Sequence, residues 1–318
     1  MDDIDKLNIE SQQGLVSIGI TCFNAHDSIS RAIKSAQEQS YENIEILVVD
    51  DGSSDGSIEV VEQIANKDPR VNLIKHEKNA GTAVARNTLV SHAKGEFITF
   101  FDDDDLAMHD RVERQVDRLV TYEKQSGADT VFCYCDRNVV LEGETRTDHV
   151  GFGIGRKEPE PSGEIVADFI LWRVSGRKKF GMGQMGSGTM LLRLNAFEKL
   201  GPFNESFRRS AEIELAIRAA QQGAHFISVP EPLIVQNKTQ TSDKANRKPL
   251  DYALLLRETH ESYLKKKGLY KASRALAYAQ FWANQGQQFK SRAYMLLACL
   301  CAPHKIVTDR IKLKLGGT

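Results

Sequence analysis

An α/β fold with a mostly parallel sheet and helices on both faces is what this sequence predicts, on three observations. Apolar, strand-like runs alternate with amphipathic helical stretches from Leu15 to Gln125. The Asn- and Asp-rich motifs fall directly after the strand-like runs, at the edge where such sheets bind ligands. One run, Phe97-Ile98-Thr99-Phe100-Phe101, ends in four adjacent carboxylates, Asp102-Asp103-Asp104-Asp105. Four acids in a row repel one another, so a stable fold wants a cation there. Mg²⁺ or Mn²⁺ suits the position, because each takes carboxylate ligands and keeps sites for a substrate phosphate. A solvated acidic turn or a helix N-cap is the competing reading.

Taken in order, residues 1–13 are polar and acidic and predict a disordered lead with no apolar signal-peptide core. Leu15 to Thr21 reads as the first strand and gives way to the polar loop Cys22-Phe23-Asn24. Asp27 and Ser28 offer N-caps for a helix to about Gln39, with Ile29, Ala32, Ile33 and Ala36 on one face. Ile44 to Val49 is a second strand, stopped by Asp50-Asp51-Gly52-Ser53-Ser54-Asp55-Gly56. A helix over about Ser57 to Asn66 and a short strand from Val71 to Lys75 follow. Asn79-Ala80-Gly81 reads as a turn into a helix reaching about His92. Its Arg86 is either a nucleotide or phosphate contact or an ordinary helix-surface arginine. A helix from His109 to about Gln125 and a strand from Thr130 to Asp136 come next. The Gly-, Pro- and charge-rich stretch Glu142 to Pro161 then predicts a mobile excursion.

From Pro249 onward the pattern is helical, through Tyr252, Leu255, Leu256 and Thr259, then Ala272 to Asn284 and Phe289 to Cys301, with breaks at Gly268 and Gly286. This part is strongly basic: from Ser262 to the end Asp309 is the one acid, against eleven Lys and Arg. Its apolar stretch around Tyr294 to Leu300 is shorter than the roughly 20 residues that span a bilayer. It reads either as a segment lying on an anionic membrane surface or as a helical appendage with a solvated basic face. No aromatic–basic reader motif accompanies the charge, so no nucleic-acid partner is expected. The five cysteines have no framework spacing, which points to a reducing compartment, and no CxxC or HExxH offers a zinc site. Cys133 and Cys135 share one strand face and read as buried small apolar residues. The expected location is the cytoplasm, peripheral on the inner face of the cytoplasmic membrane if the basic helices lie there.

Val16-Ser17-Ile18 with Asn24, Val49 to Asp55, Asn79-Ala80-Gly81 with Ala85-Arg86-Asn87, and Phe101 to Asp105 together resemble, in order and spacing, the family 2 glycosyltransferases. The resemblance extends to about Gln236. It implies the GT-A fold, a Rossmann-like mixed sheet flanked by helices. Residues 14–245 would be the catalytic domain, with a nucleotide-binding half (14–136) and an acceptor half (137–245). Residues 246–318 would be a small basic helical appendage. It also implies inverting transfer from a nucleotide diphosphate sugar, with UDP expected, to a glycan, lipid-linked or protein-glycan acceptor.

The resemblance further implies roles for particular residues. Thr21, Phe23 and Asn24 would line the base, Asp51 or Asp50 would accept its hydrogen bond, and Arg86 would serve the nucleotide. The alternative for the Asp pair is an Asx-turn with no ligand. Asp102-x-Asp104 corresponds to the family's DXD motif, with Asp104 and Asp102 on the metal and Asp102 or Asp103 toward the ribose. The family's catalytic Asp sits in a Glu-Asp pair early in a helix, after a segment like Gly201-Pro202-Phe203-Asn204-Glu205. This chain carries Ala211-Glu212 there, so Glu212 is the candidate base and Glu214 the alternative. Relatives often carry a His after the last strand, where this chain has Gln236-Asn237-Lys238, and Lys238 is either a diphosphate contact or a loop lysine. The Gln-x-x-Arg-Trp signature of processive synthases is absent, which implies addition of one sugar or a few.

Gly181-Met182-Gly183-Gln184-Met185-Gly186 formally matches a dinucleotide fingerprint, but the strand-before, helix-after context is missing. With Arg177, Lys178 and Lys179 before it, the stretch reads as an acceptor loop or lid. Two other function classes compete. One is a nucleotide-sugar-binding protein without turnover, suggested by Ala211-Glu212. The other is a sugar-phosphate nucleotidyltransferase, which would place a glycine-rich basic loop where Cys22-Phe23-Asn24-Ala25-His26 stands.

Overall fold

Strands β1 (Val16–Cys22), β2 (Ile44–Asp50), β3 (Val71–Lys75) and β4 (Phe97–Asp102) run parallel to one another. Their near-continuous apolar runs are what a strand covered on both faces requires. They belong to a computed structural model that describes residues 14–141, 144, 146–172, 181–238 and 249–303. The expected disordered lead, Arg177 to Lys179 and the tail after Pro303 lie outside the described residues.

Successive side chains of a strand point to opposite faces, and two apolar clusters follow. Ile18, Ile46, Val48 and Phe101 join one, with α1 (Ile29–Gln37), α2 (Ser57–Ala65) and α4 (Arg111–Ser126) over it. Leu47, Val49, Ile98 and Phe100 join the other, covered by α3 (Thr82–His92), α5 (Glu164–Trp172), α6 (Ala196–Leu200) and α7 (Ala211–Gln221). Helices therefore lie on both faces, as the alternation predicts. Ser28 sits at the N-cap position of α1, but its side chain makes no capping bond.

The remaining strands are β5 (Leu106–Ala107), β6 (Val131–Leu141), β7 (Thr147–Gly151), β8 (Leu191–Arg193) and β9 (His225–Lys238). The sheet order is β3-β2-β1-β4-β8-β6-β9-β5, with β7 on β6. The antiparallel β4–β8 pair makes the sheet mixed. Two sequence expectations are corrected here. β6 runs past Asp136 to Leu141, because β9 and β7 supply ladder partners on either side of Arg137 and Asn138. The excursion predicted as mobile contains β7 and a bridge from Gly153 to Gln184, so its glycines serve close packing. An added Cβ on Gly183 would lie 2.4 Å from the Gly153 carbonyl oxygen.

Helix α5 is absent from the sequence reading, since its nine residues are mostly apolar and only Glu164 and Asp168, which meet Lys267, mark a polar side. It packs on α7 and is met by α8 (Pro249–Thr259), α9 (Glu261–Lys266) and α10 (Tyr270–Asn284). Arg257, 6% exposed, donates to the carbonyls of Leu171 (3.1 Å) and Ser273 (2.9 Å) and ties α8 to α5 and α10. The last helix among the described residues, α11 (Gln288–Cys301), packs on α10.

Phe203 stands edge-on to Phe100 at 5.7 Å and tilted on Phe197 at 5.4 Å, and is 1% exposed. Phe203→Ala should cost about 3–5 kcal/mol through lost transfer energy and the residual cavity. Urea denaturation read by circular dichroism checks this value.

Candidate active site

The parallel register brings three strand ends level: Cys22 pairs with Asp50 and Thr21 with Asp102. The direction of strand order reverses between β1 and β4, so the loop after Cys22 and the acid run flank the crevice where such sheets bind ligands. The Phe23 backbone N–H donates to Asp103 Oδ2 at 3.2 Å. Asn24 holds a left-handed φ of 50°, a conformation Asn tolerates. Its backbone N–H donates to Ser53 Oγ and its side-chain oxygen accepts from Ser54 N–H, both at 2.9 Å. The loops after β1 and β2 are thereby stitched together.

Asp50 and Asp51 are buried, and both organise turns. Asp50 Oδ2 accepts the N–H groups of Gly52 (3.1 Å) and Ser53 (2.9 Å), while its buried Oδ1 has no partner among the described residues. Asp51 accepts from Ala80 N–H (3.0 Å) and Gly81 N–H (2.8 Å), and its Oδ1 meets His76 Nδ1 at 2.8 Å. Gly81, at φ 98°, opens α3 in a conformation that a side chain would strain. Asp50 therefore makes the Asx-turn the sequence offered as one alternative, whereas Asp51, with His76, ties the end of β2 to the Ala80-Gly81 turn.

Asp102 faces the turn Ser187–Thr189, where an added Cβ on Gly188 would come within 2.4 Å of Asp102 Oδ2. Asp105, 8% exposed, accepts the Asn237 backbone N–H at 3.0 Å. The carbonyl of Asp104 accepts from the Asn237 side-chain amide (2.7 Å) and from Arg31 (3.3 Å). Burial first, then Asp104, pushes the Asp103 carboxyl up to about 7. Burial, then Asp102 and Asp104, takes Asp105 to about 8, and burial with Asp102 also raises Asp104. Below the run lies Arg111, 1% exposed, its guanidinium 4.3 Å from the Phe101 ring centroid. It donates to the Phe100 carbonyl (3.1 Å) and Thr99 Oγ1 (3.0 Å), with Asp102 and Asp105 in electrostatic range.

Among the described residues no three His, Cys, Asp or Glu side chains converge into a metal cage. Crowded, desolvated carboxylates nonetheless fit a hard cation that takes one or two protein ligands and leaves its other positions to phosphate and water.

Glu212 stands in the first turn of α7, behind Ser210 at φ 64°. Its Oε2 lies 3.4 Å from Arg86 Nη1, and Arg86 stacks over Phe203 at 5.9 Å. The structure thus brings together two predicted site residues from different motifs. Glu214 is separate: 1% exposed, it accepts from Arg218 Nε at 2.9 Å and lies 3.6 Å from His260 Nε2. Arg218 also donates to the Pro202 carbonyl at 2.7 Å and clips the preceding turn to α7. Glu214, the alternative base, is thus buried and engaged by Arg218. The Gly181–Gly186 stretch leads into the Ser187–Thr189 turn and β8 with no α-helix after it, so the dinucleotide reading fails on context. The Lys238 side chain lies outside the described residues.

Arg31, His76, Arg111, Gly188 and Asn237 escaped the sequence reading. Asn237 alone carried a signal, since it follows the last strand where relatives often place a His.

The glycosyl transferase family 2 model matches residues 17–174. The chain belongs to that family. An uncharacterized glycosyltransferase of Haemophilus influenzae is 38% identical over 127 residues, 40% of this chain and 51% of that one. An Escherichia coli UDP-Glc:alpha-D-GlcNAc-diphosphoundecaprenol beta-1,3-glucosyltransferase is 38% identical over 107 residues, 34% and 42% of the two chains. The chain spans about half or less of the length of these curated relatives. The crystal structure of Staphylococcus aureus TarS 1–349 in complex with UDP-GlcNAc superposes with a TM-score of 0.60 at 15% identity, covering 88% of this chain and 90% of that one. The family 2 chain therefore has the GT-A fold.

The raised carboxyls set a pH dependence. An unfolded Asp loses its proton near pH 4, whereas Asp103 holds its proton to about 7. Between those values the native state binds more protons, so this group's contribution to stability falls as pH rises. Thermal melts of metal-free Asp103→Asn and of the unaltered protein should therefore diverge from pH 5 to pH 8, with the variant increasingly the more stable. A constant gap would contradict the assignment.

Proposed function

We propose that this protein is an inverting glycosyltransferase. It would move a hexosyl or N-acetylhexosaminyl group from a nucleotide diphosphate sugar, with UDP as the preferred nucleotide, to a hydroxyl of a glycan, lipid-linked or protein-glycan acceptor. One observation carries the reading: a run of raised, mutually repelling carboxylates at the β1/β4 crevice, next to loops stitched by Asn24 and Asp51. The E. coli relative is named for transfer from UDP-Glc to a diphosphoundecaprenol-linked sugar, and the TarS crystal carries UDP-GlcNAc. Both names support a UDP-sugar donor, and the first supports a lipid-linked acceptor in bacterial surface polysaccharide synthesis.

In this reading Thr21, Phe23 and Asn24 line the nucleotide base. Asp50 and Asp51 shape its pocket through the turns they hold, and Asp50 Oδ1 is a buried acceptor in want of a donor. Asp103 and Asp102 meet the ribose. Asp104 and Asp102 would hold Mn²⁺ or Mg²⁺, which when bound supplies positive charge to the diphosphate leaving group. Glu212 takes the proton of the acceptor hydroxyl as that oxygen attacks the anomeric carbon opposite the leaving group. Arg86 occupies Glu212 Oε2 at 3.4 Å, so a donor phosphate drawing Arg86 away would free that oxygen for this work.

The 3.4 Å pairing of Glu212 with Arg86 also favours a second reading, a nucleotide-sugar-binding protein without turnover. Calorimetric titration with UDP, GDP and dTDP, each with and without Mn²⁺, tests the first reading. One diphosphate should bind in a metal-dependent way that Asp104→Ala abolishes, and failure of all three would count against a transferase. Glu212→Gln should then lower kcat by about 10²–10⁴-fold with donor affinity retained. Donor binding with neither transfer nor hydrolysis by the unaltered protein would leave the second reading.

A further inference from the structure

The side chains of α11 divide sharply by face. On its inner side Ala298 and Ala302 are buried and Tyr294 stacks on Tyr278 at 4.9 Å, which seats the helix on α10. On the outer side Phe289, Leu296 and Leu300 are 87%, 62% and 71% exposed, with Leu297 at 46%. Positions 289, 293, 296 and 300 follow the i, i+4, i+7, i+11 spacing. At about 100° per residue they form a single stripe along the helix. Lone exposed apolar side chains are ordinary, but a row of them along one helix makes a face that water disfavours.

Charge indicates what covers that face. Lys290 and Arg292 stand on either side of the stripe and are exposed, and Lys290 Nζ lies 4.1 Å from the Trp282 ring centroid. From Ser262 to the C-terminus the sequence carries eleven Lys and Arg against Asp309. A second copy docked on this face would set cations against cations, whereas an anionic surface would be attracted. Among the described residues no helix is long and apolar enough to cross a membrane, and α11 spans 14 residues.

We propose that α11 docks its Phe289–Leu300 stripe onto the anionic surface of a lipid bilayer, with its axis in the interface plane. The apolar side chains enter the boundary between headgroups and acyl chains. Lys290 and Arg292 extend their stems over the stripe's edges and place their charges among lipid phosphates. The inference stands on the helix alone and is independent of the transfer chemistry proposed above.

Flotation of the full chain with vesicles tests it, using phosphatidylcholine alone or mixed with phosphatidylglycerol, at about 0.1 M salt. The protein should float with the anionic vesicles, less with the neutral ones, and less again as salt rises. Leu296→Asp with Leu300→Asp should weaken partition by about tenfold or more, while circular dichroism and nucleotide titration stay unchanged because both positions face outward. A Leu300→Trp variant provides a readout free of any folding defect, since brominated lipids should quench its added fluorescence. Equal flotation of the aspartate variant, absence of flotation, or an added indole that brominated lipids leave unquenched would overturn the proposal. So would a dimer of the unaltered protein that the aspartate variant dissociates, which would give the stripe to a second copy.

Discussion

Four adjacent carboxylates at the end of a buried strand are the constraint around which the rest of this molecule is arranged. A desolvated anion cluster survives only with cations and hydrogen-bond donors close by. Arg111 supplies buried positive charge beneath it, anchored on the Phe100 carbonyl and Thr99 and spread over the Phe101 ring. From above, Arg31 and Asn237 clamp the backbone of the run, and Phe23 donates to Asp103. The compensation is partial, so the carboxyls keep raised proton affinities. Such a site is poised for an arriving cation.

The same principle governs the loops beside it. Asp50 and Asp51 direct most of their acceptor capacity to backbone N–H groups of the turns after β2 and before α3. These charge-assisted bonds fix two loops that otherwise have few apolar contacts. The walls of the crevice are therefore held by carboxyl groups buried within them. Across the crevice, α7 is set by Arg218, which grips Glu214 and the Pro202 carbonyl, so that Glu212 emerges two residues earlier beside Arg86. These two glutamates acquire different environments because a helix turns them about 200° from each other.

The C-terminal helices extend this frame. α8 to α10 share one apolar cluster with α5 and α7, so the helix bearing Glu212 is backed by residues from the far end of the chain. α11 joins that cluster only along one side, through Ala298 and Ala302. It presents Phe289, Leu296 and Leu300 outward amid the most basic part of the sequence.

Element type and order were legible in the sequence by itself. β1 to β4, α1 to α4 and α8, α10 and α11 follow from the alternation of apolar runs with amphipathic stretches and from Gly, Asp and Asn at their ends, and α7 from the family resemblance. So does the gathering of Asn24, Asp50 and Asp102 at one edge, because parallel strands of similar length end level. Periodicity is weak where a short segment is mostly apolar, as in α5, or polar yet held by ladder partners, as in β7 on β6 and the far end of β6 between β7 and β9. Only the tertiary structure decided that Arg111 lies under the acids, that Asn237 clamps them, that Arg86 meets Glu212 and that Glu214 is held by Arg218 and His260. Of these, Arg218 was foreseeable as an i,i+4 partner. The others join residues of separate elements, and no local spacing encodes a contact that the packing of those elements creates.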